Sequence, residues 1–166
     1  MSQKAIIDID GSEAVSKVLL DFLNTFPGLT ENKSILFSTL SETSGIGFFP
    51  TAGAVLQSNS EDIAGHVTQV CLYPFSVVYR AAPKSETQRI RIKEWLDTLG
   101  KWLEKQTVSI SEEEHKVADY PILKSGNRVI KSISRTSPAY LNAVYQNNIE
   151  DWLVSCTLTY ENEFDK

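Results

Sequence analysis

The sequence predicts an α+β fold, in which a mainly antiparallel sheet carries two amphipathic helices packed on it. Three observations favour this class. Residues 85–104, and a shorter stretch at 15–23, place apolar side chains at helical spacing. Residues 66–80 and 152–160 alternate with period two, which is typical of strands. Strand-like segments follow one another with short polar connections, so neighbouring strands are expected to be antiparallel.

The first helix is expected to begin at an acidic cap, Asp10, with Glu13 in its first turn, where carboxylates favour the helix dipole. Residues 1–10 form a short extended or disordered lead in this interpretation. Pro27-Gly28 ends the helix. Its apolar stripe comprises Val15, Val18, Leu19, Phe22 and Leu23.

The second helix is expected to start at Ser85, whose hydroxyl can accept from a first-turn N–H while Gln88 reciprocates as a capping box. Asp97 and Lys101 have the i, i+4 spacing of an ion pair on its polar face. Two tryptophans on its apolar stripe require a broad partner surface, which the neighbouring strands can supply. The stripe comprises Ile92, Trp95, Leu96, Leu99, Trp102 and Leu103.

Between the helices, residues 34–40, 44–50 and 53–57 are predicted as short strands, with a polar loop at 58–62. Residues 66–80 form the longest strand. Apolar side chains on both of its faces predict a strand covered on both sides for part of its length. Pro74 in its middle predicts a bulge or an edge position.

After the second helix, the acidic residues 109–115 are predicted as a solvated loop, with a charge-specific docking surface as the alternative. A short strand at 120–123 and a turn at Ser125-Gly126-Asn127 follow. Residues 128–135 are predicted as a strand, and 137–148 as a loop with one helical turn. Residues 152–160 form the final strand, and 161–166 are expected to fray.

Composition indicates one globular domain over residues 1–166. Hydrophobic residues make up 42% and charged residues 22% of the chain, near the averages for soluble proteins. The net charge of −5 argues against an electrostatic grip on nucleic acid. No signal peptide is predicted, and no apolar run reaches the roughly 20 residues of a membrane span. Cys71 and Cys156 are expected to be buried free thiols.

No catalytic, cofactor-binding or metal-binding residue is predicted, so the chain is expected not to be an enzyme. One alternative is a small Mg-dependent phosphatase, because Asp8 and Asp10 follow an apolar segment with the spacing of the haloacid-dehalogenase nucleophile and acid/base. That chemistry also needs a later lysine and a Mg²⁺-binding pair of acids, and no Asp-Asp-type motif appears downstream. A capped helix start explains the two aspartates more simply, and neither His66 nor His115 has a partner at metal-ligand spacing.

Two aromatic pairs are candidates for protein–protein contact. They are Phe48 with Phe49, and Tyr140 with Tyr145. Core packing is the alternative for each pair, since aromatic side chains fill cores as readily as interfaces. These four residues form the tentative interface prediction.

Several local strings, taken in their order and spacing, resemble a known family. They are Phe26-Pro27-Gly28, residues 73–79, residues 95–103, Ser137-Pro138-Ala139-Tyr140 and residues 149–152. The series resembles the phage minor capsid proteins of Firmicute phages and prophages, which are similar to tail terminator proteins. The resemblance covers roughly residues 15 to 163, and none of its strings contains catalytic residues.

This resemblance implies a compact subunit of a hexameric ring at the head-proximal end of the phage tail. The ring would bind the last ring of tail-tube protein, stop tube polymerisation and contact the head–tail connector or stopper protein. If the tail is contractile, the sheath would be a further partner. DNA would only pass through the lumen of the ring, and no membrane would be involved. The protein would be located in the virion. An acidic ring would leave that DNA unbound, and residues 41–53 and 137–148 could supply contact loops. Another neck or head-completion adaptor, or an unrelated binding module, remains an alternative.

Overall fold

The computed structural model describes residues 7–30, 33–124 and 126–166. This part of the chain contains two α-helices, nine strands and one 3-10 turn. No helix in it is long and apolar enough to cross a membrane. The elements in order are α1 (Ile9–Leu23), β1 (Ile35–Phe37), β2 (Gly45–Pro50), β3 (Val55–Glu61), β4 (His66–Ala81), α2 (Glu86–Leu103), β5 (Val108–Ile110), β6 (Glu113–His115), β7 (Arg128–Arg135), β8 (Tyr140–Val144), the 3-10 turn (Gln146–Asn148) and β9 (Glu150–Asp165).

Seven strands form one sheet in the order β1-β2-β4-β9-β7, with β3 also beside β4 and β8 also beside β9. The 16-residue strands β4 and β9 pair antiparallel over their whole length, from His66↔Asp165 to Ala81↔Glu150. The parallel β1–β2 pair is the exception among these antiparallel pairs. Strands β5 and β6 form a separate hairpin. The predicted α+β class with a mainly antiparallel sheet is confirmed.

Both helices cover the sheet face that presents Tyr73, Phe75 and Val77 from β4. Alternate β9 side chains join the same core because β9 pairs with β4 without a register shift. The Ser16 and Tyr73 hydroxyls lie 2.6 Å apart and tie α1 to β4. The predicted helical stripes are confirmed as core positions. Fully or almost fully buried helix residues are Val15, Leu19, Leu23, Ile92, Leu96, Leu99, Trp102 and Leu103.

Strand β4 is central, so the prediction of an edge or bulge at Pro74 is wrong. The proline lies opposite Thr157 within the unbroken β4–β9 register. On the other side of β4, β2 pairs with residues 75–80 and β3 with residues 67–72, which leaves a gap between them at Pro74. The Pro74 carbonyl accepts from Thr51 N at 3.0 Å on that side. The N–H that a proline lacks would lie in this gap, where β4 changes from pairing with β3 to pairing with β2, so the proline interrupts neither pair.

Helix α1 begins earlier than predicted. Its N-cap is Asp8, whose carboxylate accepts from Gly11 N at 3.2 Å, whereas Asp10 lies in the first helical turn. Residues 9 and 10 thus belong to the helix and not to an extended lead, and residues 1–6 of that lead lie outside the described residues. At α2 the Ser85 cap is confirmed, because Ser85 Oγ accepts from Gln88 N at 3.3 Å; the Gln88 side chain, however, accepts from Lys84 N at 2.6 Å and not from Ser85 N.

Three segments predicted as loops, and the end of the chain that was expected to fray, are strands or include residues of one. Residues 58–61 continue β3, residues 109–115 include the β5–β6 hairpin, residues 137–148 contain β8, and residues 161–165 extend β9. In each case an adjacent strand satisfies the backbone of the segment, and the sequence of the segment alone does not reveal such a neighbour. Residues 120–123 form no strand. The predicted turn at 125–127 includes Ser125, which lies outside the described residues.

The side chain of Asn24 forms hydrogen bonds with the backbone of β1, as a neighbouring strand would. Its Nδ2 donates to Ile35 O at 3.0 Å, and its Oδ1 accepts from Ile35 N at 2.7 Å. Asn24→Ala is expected to lower the free energy of unfolding by about 1–2 kcal/mol, because two partly buried hydrogen bonds are lost. Chemical denaturation measures the loss, with exposed Asn59→Ala on β3 as the control. Equal losses in the two variants would contradict this role.

Candidate functional site

The four predicted interface aromatics have three different environments. Phe48 is fully buried, with its ring 5.4 Å from that of Phe75 and 5.5 Å from that of Phe37. The interface prediction for Phe48 is therefore wrong, since its ring fills the core. Phe49 points to the opposite sheet face and is half-buried. Tyr140 and Tyr145 are 45% and 47% exposed, so part of each side chain is accessible at the surface.

Tyr140 is the first residue of strand β8, and Tyr145 directly follows its last residue. The strand pairs antiparallel with the first residues of β9, starting at Tyr140↔Leu153. The chain reverses through the 3-10 turn, where Asn147 and Asn148 adopt φ of 63° and 60°. Asparagine tolerates this left-handed conformation better than most residues. Tyr145 N then donates to Ile149 O at 2.7 Å and closes the hairpin.

We call Tyr140, Leu141, Val144 and Tyr145 the β8 edge. Leu141 and Val144 are 41% and 63% exposed, so the edge is apolar on both sides of the strand. Residues 136–149 contain no charged side chain, in a chain that is 22% charged. Leu141 and Val144 are not among the predicted interface residues, because the sequence of this segment indicates a loop and a loop has no alternating pattern to interpret. The absence of charge was the available indication.

Two buried carboxylates hold the β8 edge in place. Asp151 accepts from Arg80 Nε at 2.7 Å and Arg80 Nη2 at 2.9 Å, and the Tyr145 hydroxyl donates to it at 2.9 Å. The neighbouring Glu150 pairs with Arg89 of α2 at 2.9 Å. Hydrogen bonding from Arg89 lowers the pKa of Glu150 despite its burial, so this carboxylate is ionised at neutral pH. These ion pairs fix the base of the hairpin to β4 and α2.

The other edge strands of the same sheet have features that natural sheets use against edge-to-edge pairing, to different extents. Strand β1 has three residues, one of them covered by Asn24. Strand β3 exposes the polar residues 58–60 and has a register shift. Strand β7 bears three basic residues and has a register shift, a feature that β8 shares between Leu141 and Ala143. The three basic residues are Arg128, Lys131 and Arg135.

The geometry at Asp8 is that of a structural cap. Its Oδ1 accepts from Gly11 N and from Arg128 Nη2 at 2.9 Å; its Oδ2 accepts from Arg128 Nε at 2.8 Å and from the Tyr160 hydroxyl at 2.7 Å. Asp10, the other acid of the phosphatase alternative, is exposed on α1. A nucleophilic carboxylate needs a free oxygen facing its substrate. Both oxygens of Asp8 already accept two hydrogen bonds, which counts against that alternative.

The two histidines each lie beside carboxylates outside the β8 edge. His66 Nδ1 is 2.9 Å from Asp165 and His115 Nε2 is 3.8 Å from Glu113. Within residues 7–30, 33–124 and 126–166, no group of three or more His, Cys, Asp or Glu side chains is arranged to hold a metal ion. No family model matches this chain, and no curated protein matches it either. Inference about function therefore depends on the sequence resemblance and on the surfaces described above.

Proposed function

We propose that this chain is a structural phage protein that caps the head-proximal end of the tail tube as an oligomeric ring. In that role it ends tube polymerisation and joins the tail to the head connector. The observation that carries the proposal is the exposed, uncharged β8 edge, which includes two of the residues predicted as interface. The edge lies within the part of the sequence that resembles tail terminator proteins.

An exposed apolar strand edge favours a protein that works by assembly. Such an edge is a template for pairing with another chain, and monomeric proteins usually protect it. The edge strands β3 and β7 expose polar or basic side chains, and Asn24 covers β1 only at Ile35, whereas the β8 edge bears no charged side chain. An exposed β8 edge is expected in the free subunit if a partner covers this edge in the assembled state.

The charge of the chain is compatible with a passage for DNA. Each copy has a net charge of −5, and a ring of such copies would repel a polyanion in its lumen. The hexameric stoichiometry, the tail-tube protein and the head–tail connector as partners, the sheath in a contractile tail, and the location in the virion all come from the resemblance. They belong to the same proposal.

A second candidate of the same class is another neck or head-completion adaptor. It would use the same exposed edge and the same charge, so partner choice separates the two. The tagged chain is expected to retain tail-tube protein in a pull-down. Retention of the head stopper alone would favour the adaptor.

The central test uses polymerisation of the tail-tube protein with and without the purified chain. We expect negative-stain images to show rings of the chain at one end of each tube, and tubes that stop growing once capped. Tubes grown without the chain provide the control for length. A strictly monomeric chain that leaves tube length and tube ends unchanged would overturn the proposal.

A further inference from the structure

We infer that the β8 edge of one copy pairs with strand β1 of the next copy, so that the sheet continues across the subunit boundary. This inference deepens the proposed ring and depends on it. It names the two different surfaces that form the joint between subunits. The partner is therefore a second copy of this chain, and the joint is head-to-tail.

The two strands are the opposite edges of one row of five strands. Tyr140 pairs with Leu153, Leu153 with Val78, Val78 with Gly47, and Gly47 with Leu36. This row of partners runs from the β8 edge, across β9, β4 and β2, to β1. Side chains paired in register point to the same face of a sheet. Tyr140 of one copy and Leu36 of the next would extend that row across the joint.

Strand β1 offers an apolar surface that matches the β8 edge. Leu36 and Phe37 lie on opposite faces of the strand and are 46% and 44% exposed. Residues 34–38 contain no charged side chain. The ring of Phe37 continues into an apolar groove along α1, which Leu20 also lines. Pairing with β8 would cover apolar side chains on both faces of each strand.

The backbone of β1 is available for such pairing beyond Ile35. Asn24 covers the outward N–H and C=O of Ile35. Ser38 N donates to Phe48 O at 2.8 Å, so Ser38 faces β2. Since successive residues of a strand alternate in direction, the N–H and C=O of Phe37 point away from β2. They are the groups that an incoming β8 would meet.

Joining two different edges has a consequence for symmetry. A contact between unlike patches repeats head-to-tail, and it closes into a ring when the rotation per subunit allows. Pairing of β8 with β8 would instead give a two-fold dimer and leave Leu36 and Phe37 exposed. The presence of one apolar edge on each side of the same row favours the head-to-tail joint.

The first test places a charge on the edge. Leu141→Lys is expected to convert the ring to monomers in sedimentation velocity, because a lysine on an edge strand opposes pairing. Val129→Lys on β7 is the matched control, since Val129 is 53% exposed on another edge of the same sheet. Circular dichroism checks that both variants remain folded. A Leu141→Lys ring as stable as the control ring would overturn the inference.

The second test uses cysteines at the two ends of the row. Tyr140→Cys and Leu36→Cys chains, mixed and treated with a short thiol–thiol cross-linker, are expected to give a covalent dimer. Each variant alone is expected to give none. The native Cys71 and Cys156 are 0% and 1% exposed, and burial raises the pKa of both thiols, so they do not compete.

The double variant distinguishes the ring from other assemblies. Within one copy the two new cysteines lie four strand spacings apart, roughly 19 Å, beyond the reach of a short linker. We expect a ladder of covalent oligomers that ends at the ring. Dimers from Tyr140→Cys alone would show a β8–β8 joint and overturn the inference. If the wild type forms rings but these two positions do not cross-link, only the pairing of β8 with β1 is overturned. If the wild type is monomeric and does not bind tubes, the proposed function is overturned as well.

Discussion

Replacing Trp102 with alanine is expected to lower the free energy of unfolding by about 3–5 kcal/mol. The Trp102 side chain is almost fully buried between the helices. Its ring stacks on that of Phe22 in α1, with centroids 4.9 Å apart and planes inclined by 19°, and lies 5.2 Å from the ring of Phe26. Alanine would leave a cavity where α1 and α2 meet, and the neighbouring rings could fill it only in part.

Chemical denaturation measures this loss, and Ile90→Ala provides the control on the same helix. Ile90 is 56% exposed, so its truncation is expected to change the stability by no more than about 0.5 kcal/mol. A loss below about 1 kcal/mol for Trp102→Ala would show that the indole contributes little to the packing of α1 on α2.

Replacing Asp8 with alanine is expected to cost about 3 kcal/mol or more, because the change removes one member of a largely buried ion pair. The Asp8 and Arg128 side chains are only 11% and 12% exposed. The carboxylate caps α1 through Gly11, pairs with Arg128 of β7 and accepts from Tyr160 of β9. One substitution thus loosens the contact between a helix start and two strands.

The matched control is Asp10→Ala, because Asp10 is an exposed acid two residues further along the chain. Its removal is expected to cost less than about 1 kcal/mol, the usual size of a helix-dipole contribution. Both variants are unfolded in denaturant under identical conditions. Similar losses at the two positions would contradict the cap geometry, and they would reopen the hypothesis that the two aspartates act as a pair.

The contribution of Asp8 must also depend on pH. Burial alone raises its pKa, but hydrogen bonds from Arg128, Tyr160 and Gly11 outweigh burial, so the net pKa lies below the ordinary 3.8. A lowered pKa means that the ionised form stabilises the fold above the unfolded pKa, and that this stability is lost as pH falls through the folded pKa. The difference between wild type and Asp8→Ala is therefore expected to narrow between about pH 5 and pH 3. A constant difference over that range would contradict the assignment.

The core-facing sides of the helices and long strands could be predicted from the sequence. Leu96, Leu99 and Leu103 recur at helical spacing, and Tyr73, Phe75 and Val77 recur at strand spacing. Each pattern requires a buried face, whichever partner covers it. Ser85 was also predictable as a cap, since the cap and the amide it accepts from are three residues apart.

The edges of the sheet could not be predicted in the same way. Strand β8 is apolar on both faces and short, so it lacks the alternation that marks a half-buried strand. Phe48 and Tyr140 are both aromatic residues with apolar neighbours in the sequence. In the structure, however, Phe48 is buried in the core and Tyr140 is exposed on an edge strand. Their difference arises from strand order, which depends on pairs such as Phe48↔Val77 and Tyr140↔Leu153.

The sequence by itself determined the α+β class, the two helices and the apolar faces of the long strands, because periodicity within one segment is a local property of the chain. Only the tertiary structure decided which aspartate caps α1, how a central strand accommodates Pro74 and which aromatic residues lie at the surface. Asp8 finds Arg128 across 120 residues, and Pro74 lies where two strands leave a gap. Such contacts join segments distant along the chain, so their physical cause is the packing of the whole domain.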